Sequence, residues 1–407
     1  LDHQVGVILD RLEADGLADS TIVFYYSDHG GAVAGSKRFL TENGLRVPMI
    51  VRVPEAYRHL VEYESGGTVD RVVSFVDLPP TLLRLAGIEK PAQMVGQSIL
   101  HSSDNRYAFA YGGRMDERRN LVRSVTDGQY RYTRNYLPHR AYGRRLEYLW
   151  KAPLTQSWAS EYAAGNLNAA QSAFFEPRPA EELYDVQTDP HGLENLVGRP
   201  EFADKLNELS GALTAWQVDQ RDAGLVPEPM LIELDEQGVI RDYVVSAEYP
   251  AAEIVQLAQT AGNRDVANLD LLVEQLHSGH PVKSYWAATG LLLLGQGAGD
   301  ALPVMESALE TAQPWTGVVL AEALFSLGQR EAAMDYLRGA LTHENLMVRL
   351  QAMETVVEQD IRDPAMKPSV AALIPEDPSE RPYDARMARY VMQLYEQEAA
   401  TGGRSEP

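Results

Sequence analysis

The last third of the chain repeats itself. Pro281, Ala288, Leu291, Leu294 and Gly295 return 33 residues later as Pro314, Ala321, Leu324, Leu327 and Gly328. A fainter third copy sets Val348-Arg349 against Val282-Lys283. Paired helices at a period near 33 specify an α-solenoid, because one hairpin cannot bury its apolar face alone and must stack on the next. The spacing suits HEAT-like and TPR-like units alike. Residues 250–370 are expected to form this HEAT-like region, followed over 371–407 by a terminal helix and a disordered tail, TGGRSEP. VPEPM and DEQG read as connecting text, with a linker over 233–249.

The beginning has another rhythm. Val5, Ile8, Leu9 and Leu12 fall at helical spacing over residues 4–15, and Gly16 is a natural stop. STIVFYYSDHGG is a short apolar β-rich run closed by glycines, and RVPMIVRVP is a second strand broken by Pro54. SFVDLPPTLLRLAGI enters a helix, with Asp77 or a neighbour as cap and proline in the first turn. Helix, strand, loop, strand, helix within 90 residues predicts an α/β layered domain with parallel strands, over 1–104. Residues 105–232 alternate in shorter segments. LVRSVTD-GQYRYTRNY predicts an antiparallel hairpin turning at Asp127-Gly128, and 200–221 a helix carrying Phe202, Leu206, Leu209, Leu213 and Trp216 on one side.

At 407 residues the chain is long enough for two or three domains. No apolar run approaches the length of a membrane span. There is no cysteine, which excludes disulfides, thiolate metal sites and a cysteine nucleophile within these residues. The net charge of −22 argues against general nucleic-acid binding. Residues 114–145 run the other way, with nine arginines against Asp116, Glu117 and Asp127. That stretch is either a solvated basic face or a cradle for an anionic substrate.

In open α/β sheets ligands gather at the carboxyl ends of strands. Asp28 and His29 stand at such an end, with Gly30 and Gly31 permitting close backbone approach. A carboxylate and an imidazole are two metal ligands, yet the same pair can simply end a strand. Lys37 follows eight residues past His29, in GSKRFLTENGLRVPMIVRVP, where Gly44 permits a tight turn. A lysine there is a point charge suited to a sulfate or phosphate oxygen.

Taken in order, DHQVGVILDRLEADGLADSTIV, SDHG, Lys37, ENGLRVPMI, VDLPPTLLRLAGI, TDGQYRYTRNYLP and RPAEELYDVQTDPHGLENL resemble the distal half of a sulfatase of the alkaline-phosphatase-like superfamily, nearest its heparan N-sulfatase-like branch. The likeness runs from residue 1 to about 220. Asn43 and Thr41 depart from the glycine and tyrosine usual at those places. The resemblance implies a fold, the distal half of the sulfatase α/β domain followed by a small antiparallel C-terminal subdomain. It implies Asp28 and His29 as ligands of a divalent cation, Ca²⁺ first, with Mn²⁺ or Zn²⁺ suiting the imidazole better. It implies Lys37 as the catalytic cation on a sulfate oxygen, and Arg114, His139 and Arg140 as lining for the substrate pocket.

The implied activity is hydrolysis of a sulfate ester or sulfamate on a sulfated small molecule or glycan, in a periplasmic or secreted setting. Sulfatases work through a formylglycine made from Cys or Ser, and neither stands here in the required context. The chain is therefore expected to be an N-terminally truncated piece, inactive alone. Two other readings stand beside it. One is a phosphodiesterase or phosphonate monoester hydrolase of the same superfamily. The other is a non-catalytic scaffold in which the helical repeats bind a protein partner.

Overall fold

The structure, a computed structural model, describes residues 1–101 and 106–401. Along the chain run α1 (Asp2–Ala14), β1 (Val23–Tyr26), the single turn α2 (Glu42–Leu45), β2 (Met49–Arg52) and α3 (Leu78–Leu85). Next come β3 (Ala108–Met115), β4 (Arg118–Thr126), β5 (Tyr130–Asn135), α4 (Pro153–Ala163), α5 (Ala169–Ser172), β6 (Glu181–Asp185) and α6 (Ala203–Asp219). The remainder is helical: α7 (Glu228–Glu236), α8 (Ile240–Val245), α9 (Ala251–Gly262), α10 (Leu269–Leu276), α11 (Pro281–Leu294) and α12 (Leu302–Leu309). It ends with α13 (Pro314–Ser326), α14 (Arg330–Ala340), α15 (Leu346–Glu358), α16 (Lys367–Ala372) and α17 (Tyr383–Thr401). The tail expected to be disordered lies, from residue 402, outside the described residues.

Two compact units result, one of residues 1–111, 123–133 and 182–210, the other of 112–122, 134–181 and 211–407. In the first, α1 forms where the apolar spacing predicts and stops before Gly16, which sits at φ +70°. None of its residues is buried, and Ile8 and, on β2, Ile50 are more than half exposed. The strands correct the sequence reading. β1 and β2 pair antiparallel, Val23 facing Arg52 and Tyr26 facing Met49. Parallel strands are usually joined through a crossover helix, whereas the connection over residues 27–48 holds only the four-residue α2 and returns the chain antiparallel. Ser74 and Asp77 form a capping box ahead of α3, whose first turn holds Pro79 and Pro80.

β3 to β6 make a four-stranded sheet in chain order, β3-β4-β5-β6, and every strand has residues in both units. The β4–β5 hairpin turns where expected. Asp127 Oδ1 accepts the backbone N–H groups of Gln129 (3.0 Å) and Tyr130 (2.7 Å), and Gly128 takes φ +97°.

The second unit has one continuous apolar core. Leu121 and Tyr136, from the sheet strands and their exit, share it with Trp286 on α11 and with residues as far on as Tyr395 on α17. Trp286 is fully buried, meets Tyr136 edge-on at 5.7 Å, and donates its indole N–H to the Leu225 carbonyl at 2.9 Å. The repeat appears as helices. Pro281 and Pro314 each open one, α11 and α13, and α11 packs on α9, α10 and α13. In turn α13 packs on α14 and α15, and α15 on α17. The stretch read as a linker over 233–249 contains the end of α7 and all of α8, because Val244 and Tyr249 are drawn into the core.

Candidate active site

β1 ends at Tyr26, and the loop beyond it is a backbone knot. Ser27 Oγ donates to the His29 carbonyl (2.7 Å), and the Gly30 N–H donates to the Gly44 carbonyl (3.1 Å). The two passes of chain lie so close that a Cβ on Gly30 would come within 1.7 Å of the Asn43 carbonyl oxygen. A Cβ on Gly44 would likewise meet the Phe39 carbonyl oxygen at 2.2 Å. Both glycines are needed for lack of a side chain, while Gly31 meets nothing closer than Val33 Cγ2 at 3.6 Å. Asn43 takes part through its carbonyl, which accepts from Ser36 Oγ at 2.6 Å. A backbone role explains why asparagine stands here at no structural cost.

Lys37 belongs to the same knot. Its N–H donates to the Gly31 carbonyl (3.0 Å), and it is flanked by buried Ser36 and, two residues on, buried Phe39. The knot is braced by a residue that no sequence signal singled out. Arg131 on β5 reaches Glu42 in α2, Nε to Oε1 at 2.8 Å, with both side chains about nine-tenths buried. The two positions are 89 apart in sequence, so only the fold brings them together.

Asp28 and His29 stand side by side at the mouth of this loop. The Asp28 side chain is 84% exposed, and its Oδ2 lies 3.4 Å from His29 Nε2. His29 Nδ1 lies 2.6 Å from the Gly30 carbonyl, which can only accept, so Nδ1 carries the hydrogen. In the neutral ring that leaves the Nε2 lone pair turned toward a carboxylate oxygen. Two acceptors facing each other need a cation or a second ring proton between them. This is the usual way in which a backbone carbonyl orients a metal-binding histidine. The pair fits a divalent cation as two of its ligands. Among the described residues no further His, Asp or Glu completes a group of three.

The second set of expected site residues behaves differently. Arg114, His139 and Arg140 do line one cavity, in the second unit, whereas Asp28, His29 and Lys37 belong to the first. There, however, the arginines are committed to glutamates. Arg114 makes a two-pronged pair with Glu228, its Nε at 2.8 Å from Oε1. Arg140 Nη2 is 2.6 Å from Glu322 Oε2, and Arg144 Nη1 is 3.3 Å from Glu354 Oε1. Glu358 lies within 4 Å of Arg118, Arg140 and Arg144. Burial alone would raise the carboxyl of Glu358, yet the three guanidiniums hold it below the usual range, and Arg114 and Arg119 do the same for Glu228. Burial pushes Arg144 down to about 10, and it pushes His139 well below 6.5, helped by Arg140 and Arg144. The basic excess of residues 114–145 is thus met by acids remote in sequence. Arg145, for its part, lies over the Tyr390 ring at 4.4 Å.

The sulfatase family model matches residues 1–88. An ulvan-active sulfatase of Formosa agariphila is 38% identical over 237 residues, which cover 57% of this chain and 39% of that protein. The N-acetylglucosamine-6-O-sulfatase of Bacteroides thetaiotaomicron is 27% identical, covering 54% of this chain and 34% of that protein. The N-sulphoglucosamine sulphohydrolase of Homo sapiens is 25% identical, covering 54% and 46%. The chain spans less than half the length of each of these relatives. The family match over residues 1–88, together with these relatives, shows that the first part of this chain is similar to sulfatases.

Proposed function

We propose that this chain supplies the metal-binding and leaving-group side of a hydrolase acting on sulfate esters or sulfamates of a sulfated glycan. The observation that carries the reading is the Asp28–His29 pair. A backbone carbonyl fixes the imidazole hydrogen, and an acceptor-rich opening is left at a strand end within the sulfatase-homologous residues. The named activities of the relatives, on ulvan and on N-acetylglucosamine and N-sulphoglucosamine sulfates, point to a sulfated glycan as the substrate class.

In this reading Asp28 and His29 hold a divalent cation, Ca²⁺ first and Mn²⁺ or Zn²⁺ next, which when bound supplies positive charge to the sulfate oxygens. Lys37 places its ammonium on a sulfate oxygen and stabilises charge developing as the ester bond breaks. The knot through Gly30, Ser36, Asn43 and Gly44 keeps these groups at fixed spacing. A formylglycine is made from Cys or Ser, and neither stands in the required context in these residues, so in this reading the polypeptide by itself turns over no sulfate ester. Helices α9 to α17 form a HEAT-like solenoid, supported by the 33-residue offset of α11 and α13 and by their stacking. The setting is periplasmic or secreted, where sulfated glycans are met.

Titration of the purified chain with Mn²⁺, followed by paramagnetic broadening of the His29 ring resonances, tests the cation site without reference to activity. Loss of broadening in Asp28→Asn supports it. Unchanged spectra in the unaltered chain overturn it. Paired sulfate and phosphate ester assays on the whole enzyme separate a sulfatase from a phosphodiesterase.

A further inference from the structure

Asn43-Gly44 is the one Asn-Gly pair in the 407 residues. Such a pair is prone to a reaction of its own, because glycine has no side chain to shield its backbone nitrogen from the neighbouring amide. The Gly44 nitrogen attacks Asn43 Cγ. An N–Cγ bond forms and the Cγ–Nδ2 bond breaks, releasing ammonia that carries off the backbone amide proton. Water then opens the cyclic imide at either carbonyl. Position 43 ends as an aspartate, or as an isoaspartate whose main chain runs on through Cγ.

The fold opposes each step. Asn43 and Gly44 lie inside the single turn α2, where the Gly44 N–H donates to the Thr41 carbonyl at 3.0 Å. The Leu45 and Arg46 N–H groups donate to the carbonyls of Thr41 and Glu42, both at 2.9 Å. Attack requires the Gly44 amide to lose its proton and Asn43 to rotate about its Cα–C bond, and both events break this turn. The flanking carbonyls are tied as well, that of Asn43 to Ser36 Oγ at 2.6 Å and that of Gly44 to the Gly30 N–H at 3.1 Å. Gly44 is boxed in, since a Cβ there would meet the carbonyl oxygens of Phe39 at 2.2 Å and Ser36 at 2.4 Å. Asn43 itself is exposed, so water reaches its amide and only conformation holds the reaction back. Local opening is the way through, in a unit where α1 buries no residue and much of the chain over 27–46 is only partly buried.

We propose that Asn43 is a site of spontaneous deamidation, suppressed while the α2 turn is closed and advancing through each local opening. The change is one-way for the loop. Either product adds a negative charge beside Glu42, the carboxylate paired with buried Arg131. The isoaspartate also lengthens the main chain by a methylene and turns the former Asn43 carbonyl into a branch carboxylate. The Ser36 and Gly30 contacts then cannot both be remade. The modification requires no catalytic role for the loop, although the same loop carries Asp28, His29 and Lys37.

Peptide mapping by mass spectrometry tests this on the full chain, held at mildly alkaline pH with and without denaturing urea. The Asn43 peptide should convert in urea, and at least roughly tenfold more slowly in the folded chain, because the rate follows the population of the open form. Gly30→Ala, which loosens the knot, should speed conversion in the folded protein toward the urea rate. Chain modified in urea and returned to buffer should lack hydrogen-exchange protection at the Gly30 and Lys37 amides, which chain exposed to urea only briefly regains. Equal rates in the folded and unfolded chain overturn the proposal, as does a Gly30→Ala protein that converts no faster than the parent. Full recovery of protection in the modified chain overturns it too. If Gly30→Ala fails to fold, Ser36→Ala, which deletes only the hydrogen bond on the Asn43 carbonyl, replaces it under the same criterion.

Discussion

Arg140 and Glu322 meet at 2.6 Å across 182 residues of sequence, both about nine-tenths or more buried. Their contact joins the loop after β5 to helix α13. An arginine that reads in sequence as a hand for an anionic substrate is, in the fold, held by a carboxylate of its own chain. Burial would lower the Arg140 guanidinium, but Glu322 and Glu358 overcome it and raise its pKa.

Breaking that pair from one side should be severe. Glu322→Gln leaves Arg140 buried with only Glu358 at 3.7 Å, and a loss of about 3–5 kcal/mol is expected. Replacing both partners, Arg140→Met with Glu322→Leu, should recover most of it. Urea unfolding of the three variants measures the difference. A Glu322→Gln protein as stable as the parent would show that the network contributes nothing.

The pH dependence follows from the same cluster. Folding holds the His139 pKa well below 6.5, so between that value and 6.5 the unfolded chain binds a proton that the folded chain does not. Stability should therefore begin to fall as pH drops below about 6.5. Glu228 and Glu358 have folded values below the usual 4.5, so the stability they contribute is present above that value and lost as pH falls through the folded ones. Denaturant midpoints measured from pH 8 to well below the usual carboxyl value should show the first loss disappear in His139→Gln while the second remains.

Gly30→Ala should damage the knot locally. The added methyl would lie 1.7 Å from the Asn43 oxygen, a clash that backbone has to relieve. A cost of about 1–3 kcal/mol is expected, concentrated in residues 27–48. Hydrogen exchange should show faster exchange at the Gly30 and Lys37 amides, with α11 and α13 unaffected. Gly31→Ala, which meets no close neighbour, serves as the control.

In the whole enzyme, Lys37→Ala should lower kcat by about 10²–10³, the range seen when one stabilising charge is removed from a transition state. KM should change less, since the charge on the departing oxygen grows only as the bond breaks. Steady-state kinetics on a sulfated chromogenic substrate checks this, and a variant with unaltered kcat would remove Lys37 from the chemistry.

The local parts of this protein could be read directly from its residues. Apolar spacing placed α1, the Asp127-Gly128 pair placed the hairpin, and the 33-residue echo placed α11 and α13, because each depends on neighbours within a few turns of chain. Asp28, His29 and Lys37 lie on one loop, so their nearness in the chain needs no tertiary contact. Strand direction was misread, because pairing depends on whether the connection can cross over, and residues 27–48 hold a single helical turn in place of a crossover helix. The partners of the arginines were beyond sequence altogether. Glu42 against Arg131, Glu228 against Arg114 and Glu322 against Arg140 are 89, 114 and 182 residues apart. Composition shows a charge and its neighbours along the chain, but burial decides whether it faces solvent, a ligand or another buried charge, and burial is a property of the tertiary structure alone.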